Sequence, residues 1–550
     1  MAIPITLGLQ SIDPNILFAN SAEGIVVEDL PASLAISAKA RGEKFDHFWS
    51  KCVSAGRANE GLRTNWMEHL ALVHKECGFR YLRFHGLFHD DMFVYHEEDG
   101  LPVYNWQYID ELFDRMLNIG VRPFVELSFF PEAISPGKGN MWWGAHCTPP
   151  SDFAKWMALV ENFVKHCQVR YGTEETHKWF FEVWNEPDLK GFWNGTQQQY
   201  FEFYKTTVLS IKNIDPELKV GGPATSCFHP SEEIYAQLYA KKDIKTEDLL
   251  SIESRAPWMK EFLAFCEKEN LPVDFISSHP YPTSYPHDSE GNGMELSRPV
   301  SSVNTDMKWL RNVIVQSKYP NAEIHLTEWS SSPSPRDHTH DFLQAATYIV
   351  KVNLDCIGLA NSLSYWTFTD VVEETGAGTS IFHGGWGLVN FQGIVKPSFH
   401  AYRMLNSLGD EILQQTDGCT LSRNSANGKV TALLYNYPAE VASSAPISKN
   451  SRDIAKKTLL TGNPRNFTVD ITDLPVNANF EMEILDVDHG FALREWQRMG
   501  SPEPPTREQA QHLRDKAMDT KKVRLQADSR GTLHWEAMLS PWSVVLIKEN

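Results

Sequence analysis

The stretch WFFEVWNE (179–186) decides the fold prediction, because an apolar run of strand length ends there in an amide and a carboxyl group. Similar runs occupy residues 80–86, 122–129, 219–225, 274–281, 323–329 and 362–368, and a first strand is expected within 45–55. Amphipathic segments with helical periodicity lie between them, at 60–77, 106–119, 152–171, 197–212, 258–269, 301–317, 338–357 and 397–408. Strand followed by helix, repeated about eight times, predicts an α/β protein with a (β/α)8 TIM barrel. A doubly wound open sheet is the alternative, but no GxGxxG follows an early strand.

The pattern changes after Leu408, where strands follow one another without helices between them. Four strands are expected at 432–437, 467–474, 481–487 and 542–548, and one polar helix-like segment at 505–517. This pattern is typical of an antiparallel β-sandwich. We therefore predict three parts: an N-terminal segment 1–35 that joins the β-sandwich, a catalytic barrel over 36–408, and a β-sandwich accessory domain over 409–550.

Composition excludes several classes of function. The formal net charge of −19 over 550 residues argues against a nucleic-acid partner and against binding to anionic membranes. The N-terminal sequence MAIPITLGLQSIDPN has no basic start, long apolar run or cleavage site, so no signal peptide is predicted. The eight cysteines follow no disulfide or metal framework, which favours free thiols and a cytoplasmic location, with the periplasm as the alternative.

Two glutamates carry the predicted chemistry. In a barrel of this kind the active site lies at the C-terminal ends of the strands, where Glu186 ends the fourth strand and Glu328 the seventh. Retaining glycoside hydrolysis needs one protonated and one ionised carboxyl group about 5–5.5 Å apart. We assign Glu186 as acid/base and Glu328 as nucleophile, and we expect the charge on Glu328 to raise the pKa of Glu186.

Further polar and aromatic residues follow the strand ends, and each has a structural alternative. Asn185 is expected to donate to a sugar 2-hydroxyl, or else to form the turn before a proline. His279 and Tyr281 are two residues apart and so face the same way, with Tyr281 on the nucleophile and His279 on the sugar or the acid, unless both are simply buried polar groups. Trp366 is expected to form the floor of a sugar subsite or to be plain core, and Glu374 to bind sugar hydroxyls or to be solvated.

Three charged residues lie within otherwise apolar strands: Arg83, Glu126 and Glu182. Glu182 shares strand parity with Glu186, and Arg83 with His85, so these side chains should point into the barrel. Because isolated buried charges are costly, they should pair. The sequence therefore predicts a charge network under the active site, with Arg83 nearest the nucleophile.

No metal or cofactor is expected. His85-x-x-x-His89, followed by Asp90 and Asp91, has a helical ligand spacing, but His85 falls at a strand end and Gly86 breaks the pattern. Paired carboxylates hydrolyse glycosides without a metal. The sequence contains no phosphate loop, nucleophile elbow or kinase signature.

Six longer motifs resemble glycoside hydrolase family 39, the β-xylosidases, over residues 45 to 400. They are FDHFWSKCVSAGRA (45–58), RYLRFHGLFHDDM (80–92), WFFEVWNEPDLKGFW (179–193), ISSHPYP (276–282), YWTFTDVVEE (365–374) and FHGGWGL (382–388), together with LTEWSSS (326–332). The resemblance implies the same acid/base and nucleophile, and a C-terminal β-sandwich joined by the N-terminal strand. It also implies sugar contacts from His85, Asn185, His279, Tyr281, Trp366 and Glu374. Asp188 stands where the family pattern has Asn, a change that we expect to leave the chemistry untouched.

The expected activity is that of an exo-acting β-xylosidase that releases xylose from small xylooligosaccharides. One alternative keeps the mechanism and changes the sugar, as in an α-L-iduronidase, an arabinosidase or an endo-acting enzyme. A uronate would need an Arg or Lys on the pocket wall, and the sequence commits none to that role. An alternative of another class is a sugar-binding barrel without catalysis. The sequence does not indicate the oligomeric state.

Overall fold

The computed structural model describes residues 32–550 apart from 136, 138, 151, 231–252 and 285–295. Eight parallel strands close into a barrel, and each pairs with its neighbours along the chain while the eighth pairs with the first. We label them β1 to β8: Cys52–Arg57, Tyr81–His85, Arg122–Glu126, Phe180–Glu182, Lys219–Thr225, Phe275–Ser278, Glu323–Trp329 and Ser362–Trp366. The predicted barrel is confirmed.

Helices connect the barrel strands close to the predicted positions. They are Thr64–Cys77, Gln107–Ile119, Ala154–Tyr171, Gln197–Ile214, Met259–Lys268, Ser302–Val315, Leu343–Asp355 and Pro397–Asn406. Local sequence explains their ends. Gly78 and Gly120 stop the first two helices in the left-handed conformation, with φ of +79° and +102°. Thr196 and Gln199 form a capping box at the start of Gln197–Ile214.

Several predicted barrel strands have different bounds, and two of the differences are informative. The first strand, expected within 45–55, lies at Cys52–Arg57, because Phe48–Ser50 form a short 3-10 helix that buries its aromatic side chains. The fourth ends at Glu182 rather than at Glu186. Its extension fails because Trp184 and Glu186 have φ of +78° and +42°, in the left-handed region that no strand contains.

The barrel interior is layered. At the N-terminal end of the strands, Cys52, Phe124, Phe180 and Phe275 form a small apolar cluster, and the rings of Phe124 and Phe180 stack at 4.8 Å. The next inward-facing positions towards the C-terminal ends are charged, beginning with Glu126 and Glu182, two residues after the two stacked phenylalanines. The apolar layer therefore closes the barrel beneath a polar chamber.

The C-terminal part contains two sheets that share a hydrophobic core, to which Leu34, Leu421, Val469 and Val545 contribute. The seven-stranded sheet is antiparallel, in the order Glu43–Lys44, Glu411–Thr416, Cys419–Arg423, Val430–Tyr435, Val544–Glu549, Asn479–Leu485 and Lys521–Gln526. The three-stranded sheet contains Ala32–Ser37, Arg465–Thr472 and Leu533–Leu539, and its first pair is parallel.

Other elements complete the chain. The expected polar helix lies at Arg507–Met518, and two helices that the sequence did not indicate lie at Arg452–Leu459 and Ala492–Arg498. The N-terminal segment 1–35 is described only from residue 32, and the two predicted domain boundaries, after residues 35 and 408, stay predictions. No helix in the described part of the chain has both the length and the apolar character needed to cross a bilayer.

Candidate active site

The mouth of the barrel brings Glu186, His279 and Glu328 together. All three side chains are buried, and one oxygen of each glutamate and one ring nitrogen of His279 lie within 4.8 Å of one another. Glu186 comes from the turn after β4 and Glu328 from the end of β7, so barrel closure joins residues that are far apart in the chain. The separation of the two carboxyl groups matches the short spacing of retaining glycosidases, about 5–5.5 Å, and not the longer inverting one.

Glu328 is surrounded by donors. Arg83 Nη1 donates to its Oε1 at 2.6 Å, and the Tyr281 hydroxyl donates to its Oε2 at 3.0 Å. Burial and the neighbouring Glu328 carboxylate raise the pKa of Tyr281 well above its ordinary value, so the phenol keeps its proton. Charge-assisted donors of this kind stabilise a carboxylate and fix its direction, which suits a nucleophile.

Glu186 has the opposite environment. Burial raises the pKa of Glu186 to about 8, and the negative charge of Asp188 adds to the effect. Burial is the largest cause and Asp188 supplies the largest contribution from a charge, whereas Glu328, which was expected to raise this pKa, is not among the main causes. Arg83 lies 2.6 Å from Glu328 and offsets its charge. Glu186 thus remains protonated near neutral pH, as a general acid requires.

His279 links the acid to the barrel interior. Its Nδ1 lies 2.7 Å from Glu186 Oε1, and its Nε2 lies 3.2 Å from Thr327 Oγ1. Burial lowers the pKa of His279 to about 4, so the ring is neutral. The Thr327 hydroxyl donates onward to Glu182 Oε1 at 2.8 Å, which leaves its oxygen to accept from His279 Nε2–H. Nδ1 then carries the lone pair that accepts the proton of Glu186.

The predicted charge network lies inside the barrel. Besides Glu328, the Arg83 guanidinium contacts Glu182 through Nε at 2.8 Å and Glu126 through Nη2 at 2.8 Å. Glu126 also contacts His85 Nδ1 at 2.8 Å. Burial disfavours the charged imidazole, but the carboxylate of Glu126 outweighs this and raises the pKa of His85. One guanidinium therefore serves three buried carboxylates and orients the nucleophile.

Asn185 lies beside this network. Its Oδ1 accepts from Arg83 Nη2 at 2.8 Å, so the amide direction is fixed. Its Nδ2 is buried and has no hydrogen-bond partner among the described residues. A buried donor left without a partner is costly, so this amide is suited to a ligand hydroxyl.

Aromatic residues line one side of the chamber. The Trp366 ring lies 4.9 Å from the ring of His85 and 5.9 Å from that of Trp386, and Tyr281 belongs to the same cluster. Trp386 was not singled out from the sequence, although it lies within the motif FHGGWGL. Its loop returns to the site 20 residues after β8 ends, and no local periodicity signals that return.

Glu374 is half-buried on the loop after β8. Burial raises the pKa of Glu374 to about 7, and the negative charges of Glu328 and Glu186 raise it further while His85 lowers it. These interactions put Glu374 within electrostatic reach of both proposed catalytic groups. The preceding Glu373 is held at the rim by Arg57, through Nη2 at 3.1 Å, and by Arg63.

The geometry disfavours a metal. Glu186, His279 and Glu328 are close enough to share an ion, but Arg83 already compensates Glu328 at 2.6 Å, and a second cation beside it would be repelled. Among the residues that the structure describes, His85 and His89 belong to no group of three ligands close enough to share an ion.

Comparison with known proteins identifies the family. The family model "Glycosyl hydrolases family 39" matches residues 32–534. The chain belongs to glycosyl hydrolase family 39. It is 34% identical over 518 residues to a β-xylosidase of Geobacillus stearothermophilus, which covers 92% of this chain and 93% of that protein. The crystal structure of a monomeric β-xylosidase from Caulobacter crescentus CB15 superposes with a TM-score of 0.79 at 31% identity, over 94% of this chain and 99% of that one.

Similarity to α-L-iduronidases covers a smaller part of the chain. An α-L-iduronidase of Mus musculus is 27% identical over 173 residues, which is 30% of this chain and 25% of that protein. The match of the family model over residues 32–534 confirms the resemblance inferred from the motifs at the level of the family. As a family 39 glycosyl hydrolase, the chain hydrolyses glycosidic bonds.

Proposed function

We propose that this family 39 glycosyl hydrolase is a retaining, exo-acting β-xylosidase that releases xylose from xylooligosaccharides. One observation carries the mechanism. Two carboxyl groups lie within 4.8 Å, one with a pKa raised to about 8 and the other bonded to an arginine and a tyrosine. This combination supports double displacement.

In the first step Glu328 attacks the anomeric carbon of the xylose while Glu186 gives its proton to the departing glycosidic oxygen. The result is a glycosyl-enzyme ester on Glu328 and a free leaving sugar. In the second step Glu186, now ionised, takes a proton from water, and the water oxygen attacks the anomeric carbon and displaces Glu328. Both carboxyl groups then return to their starting states.

The remaining site residues hold the sugar in this proposal. Asn185 Nδ2, buried and without a partner in the described part of the chain, would donate to the 2-hydroxyl. Trp366 would pack against the apolar face of the ring, beside His85. Glu374, half-buried and near both carboxyl groups, would accept from sugar hydroxyls. His279 and Tyr281 orient Glu186 and Glu328 and reach the same chamber.

The choice of xylose rests on the relatives, and a uronide is the second candidate. Arg336 supports that candidate, because it lines a small cavity with Glu374 and Trp386 and its guanidinium donates only to the carbonyls of Pro335 and Gly376 among the described residues. A panel of aryl xyloside, arabinoside and iduronide would separate the sugars. The xyloside should react fastest; an iduronide rate above it, lost in Arg336→Ala, would favour the uronide.

Glu328→Gly tests the mechanism. The variant should lose activity on an aryl xyloside, and azide should restore turnover and yield the α-xylosyl azide, because azide enters from the face that Glu328 vacates. Glu186→Ala is the matched variant and should yield the β-azide, from the opposite face. An active Glu328→Gly enzyme, or the same azide anomer from both variants, would exclude the assignment. A wild-type protein inactive on every glycoside would instead indicate a sugar-binding barrel.

A further inference from the structure

The turn that carries Glu186 is held in an unfavourable backbone conformation. Trp184 and Glu186 have φ of +78° and +42°, and Ala224, at the facing end of β5, has φ of +52°. Residues with a side chain adopt the left-handed region only where surrounding contacts enforce it. The contacts that enforce it here therefore set the position of the general acid.

Those contacts continue the pairing of β4 and β5 beyond the end of β4. Val183 N donates to Gly221 O at 2.9 Å, and Glu186 N donates to Ala224 O at 2.8 Å. Two residues further along both segments, Ser226 N donates to Asp188 Oδ1 at 2.9 Å, and the Ser226 hydroxyl donates to Asp188 Oδ2. The Asp188 side chain thus supplies the last acceptor of this extended ladder.

Asp188 also places a negative charge two residues from Glu186. Burial raises the pKa of Asp188, while the two donors of Ser226 and the nearby His229 lower it. Among the residues that the structure describes, no lysine or arginine forms an ion pair with Asp188. Its charge therefore acts on Glu186, offset in part by His229.

The other charged and titratable groups around Glu186 act in both directions. His85 and Arg83 favour its ionised form, and Glu126 favours its protonated form. His279 also contacts Glu186 directly, and Tyr281, Glu374 and Cys227 interact with it electrostatically. Asp188 supplies the largest effect of a charge that opposes these two cationic groups.

We propose that Asp188 is a positioning residue for Glu186: it fixes the turn that carries the general acid to the end of β5, and its charge holds the proton on that acid. This inference rests on the proposed role of Glu186. It revises the expectation that Asp in place of the family's Asn is chemically silent. An asparagine could make the same two contacts to Ser226 but would bring no charge.

Asp188→Asn separates the charge from the contacts. The basic limb of kcat/KM on xylobiose should move to lower pH by on the order of one unit, with several-fold lower activity at alkaline pH and an unfolding temperature no lower than that of the wild type. Ser226→Ala keeps the charge and removes one donor, so its limb should stay in place. A dinitrophenyl xyloside needs no proton on its leaving group, so its kcat/KM, which reports the glycosylation step, should be the same for Asp188→Asn and the wild type.

Glu186→Gln distinguishes failure of this inference from failure of the proposed function. It should lose activity on xylobiose and keep glycosylation by the dinitrophenyl xyloside. If Glu186→Gln behaves in this way while the basic limb of kcat/KM for Asp188→Asn stays at the wild-type pH, the role of Asp188 is refuted and the proposed function stands. If Glu186→Gln hydrolyses xylobiose at the wild-type rate, the proposed function fails. Asp188→Ser removes the same charge, and the same criterion applies to it should Asp188→Asn not fold.

Discussion

Replacing Glu186 with Gln is expected to stabilise the folded protein, and the gain should grow as the pH rises. Burial raises the pKa of Glu186 to about 8 from an ordinary value of 4.5. Between these values the unfolded chain releases a proton that the folded protein retains. Folding is therefore disfavoured progressively as the pH rises, and an amide that never ionises avoids this cost.

The size of the effect follows from the pKa shift. Below pH 4.5 both states are protonated, and Glu186 adds no penalty to the free energy of folding. Above that pH the penalty grows by about 1.4 kcal/mol per unit, so it reaches roughly 3 kcal/mol at about pH 7. It levels off once the folded protein also loses its proton, above the raised pKa of about 8. The amide can still donate to His279 Nδ1, so the main contact of the side chain is kept.

Thermal unfolding of the wild type and Glu186→Gln at about pH 5 and about pH 7.5 measures this difference. The stability gap should be small at the lower pH and several-fold larger at the higher one. Glu217→Gln replaces an exposed glutamate and should show no such growth of the gap. A gap that is equal at both values, or a variant that becomes relatively less stable as the pH rises, would refute the argument.

Three further outcomes are expected. The activity on xylosides should fall as the pH rises through about 8, because Glu186 then loses its proton; a pH–rate profile checks this, and a flat alkaline profile would contradict it. Tyr281→Phe removes the donor 3.0 Å from Glu328 and should lower kcat by roughly 10–100-fold, measured by steady-state kinetics. Arg83→Met strands three buried carboxylates and should cost about 3–5 kcal/mol of unfolding free energy, visible in urea unfolding; equal stability would show that they are not charged together.

Strand and helix positions were largely predictable because apolar periodicity reflects burial directly. The end of β4 was not. Nothing in the letters VWNE marks Trp184 and Glu186 as left-handed, since glycine and asparagine are the residues that usually signal that conformation. The apolar residues after Glu182 continue the strand pattern in the sequence. In the structure the backbone leaves the strand conformation there, because Glu186 bonds Ala224 and Asp188 bonds Ser226.

The sequence predicted which side chains point into the barrel, because alternation along a single strand decides this. It did not predict which groups set the pKa of Glu186, because those groups come from several elements. Alternation along β2 and β4 predicted that Arg83 and Glu182 would both point into the barrel, where the structure places them 2.8 Å apart. The main influences on Glu186 could not be ranked in this way. A charge acts on Glu186 only to the extent that no opposite charge compensates it, and the sequence did not reveal that Arg83 lies against Glu328 while no lysine or arginine in the described part pairs with Asp188.

In the proposed mechanism, the sharing of Arg83 helps Glu186 to act first as an acid and then as a base. While Glu328 is ionised, the guanidinium is compensated by that carboxylate and by Glu126 and Glu182. When Glu328 becomes an ester, one negative charge leaves the chamber, but Arg83 stays bound to the other two. The potential at Glu186 becomes more positive, and its pKa must fall. Formation of the ester on Glu328 therefore lowers the pKa of Glu186. Glu186 is then ionised when it must accept a proton from water.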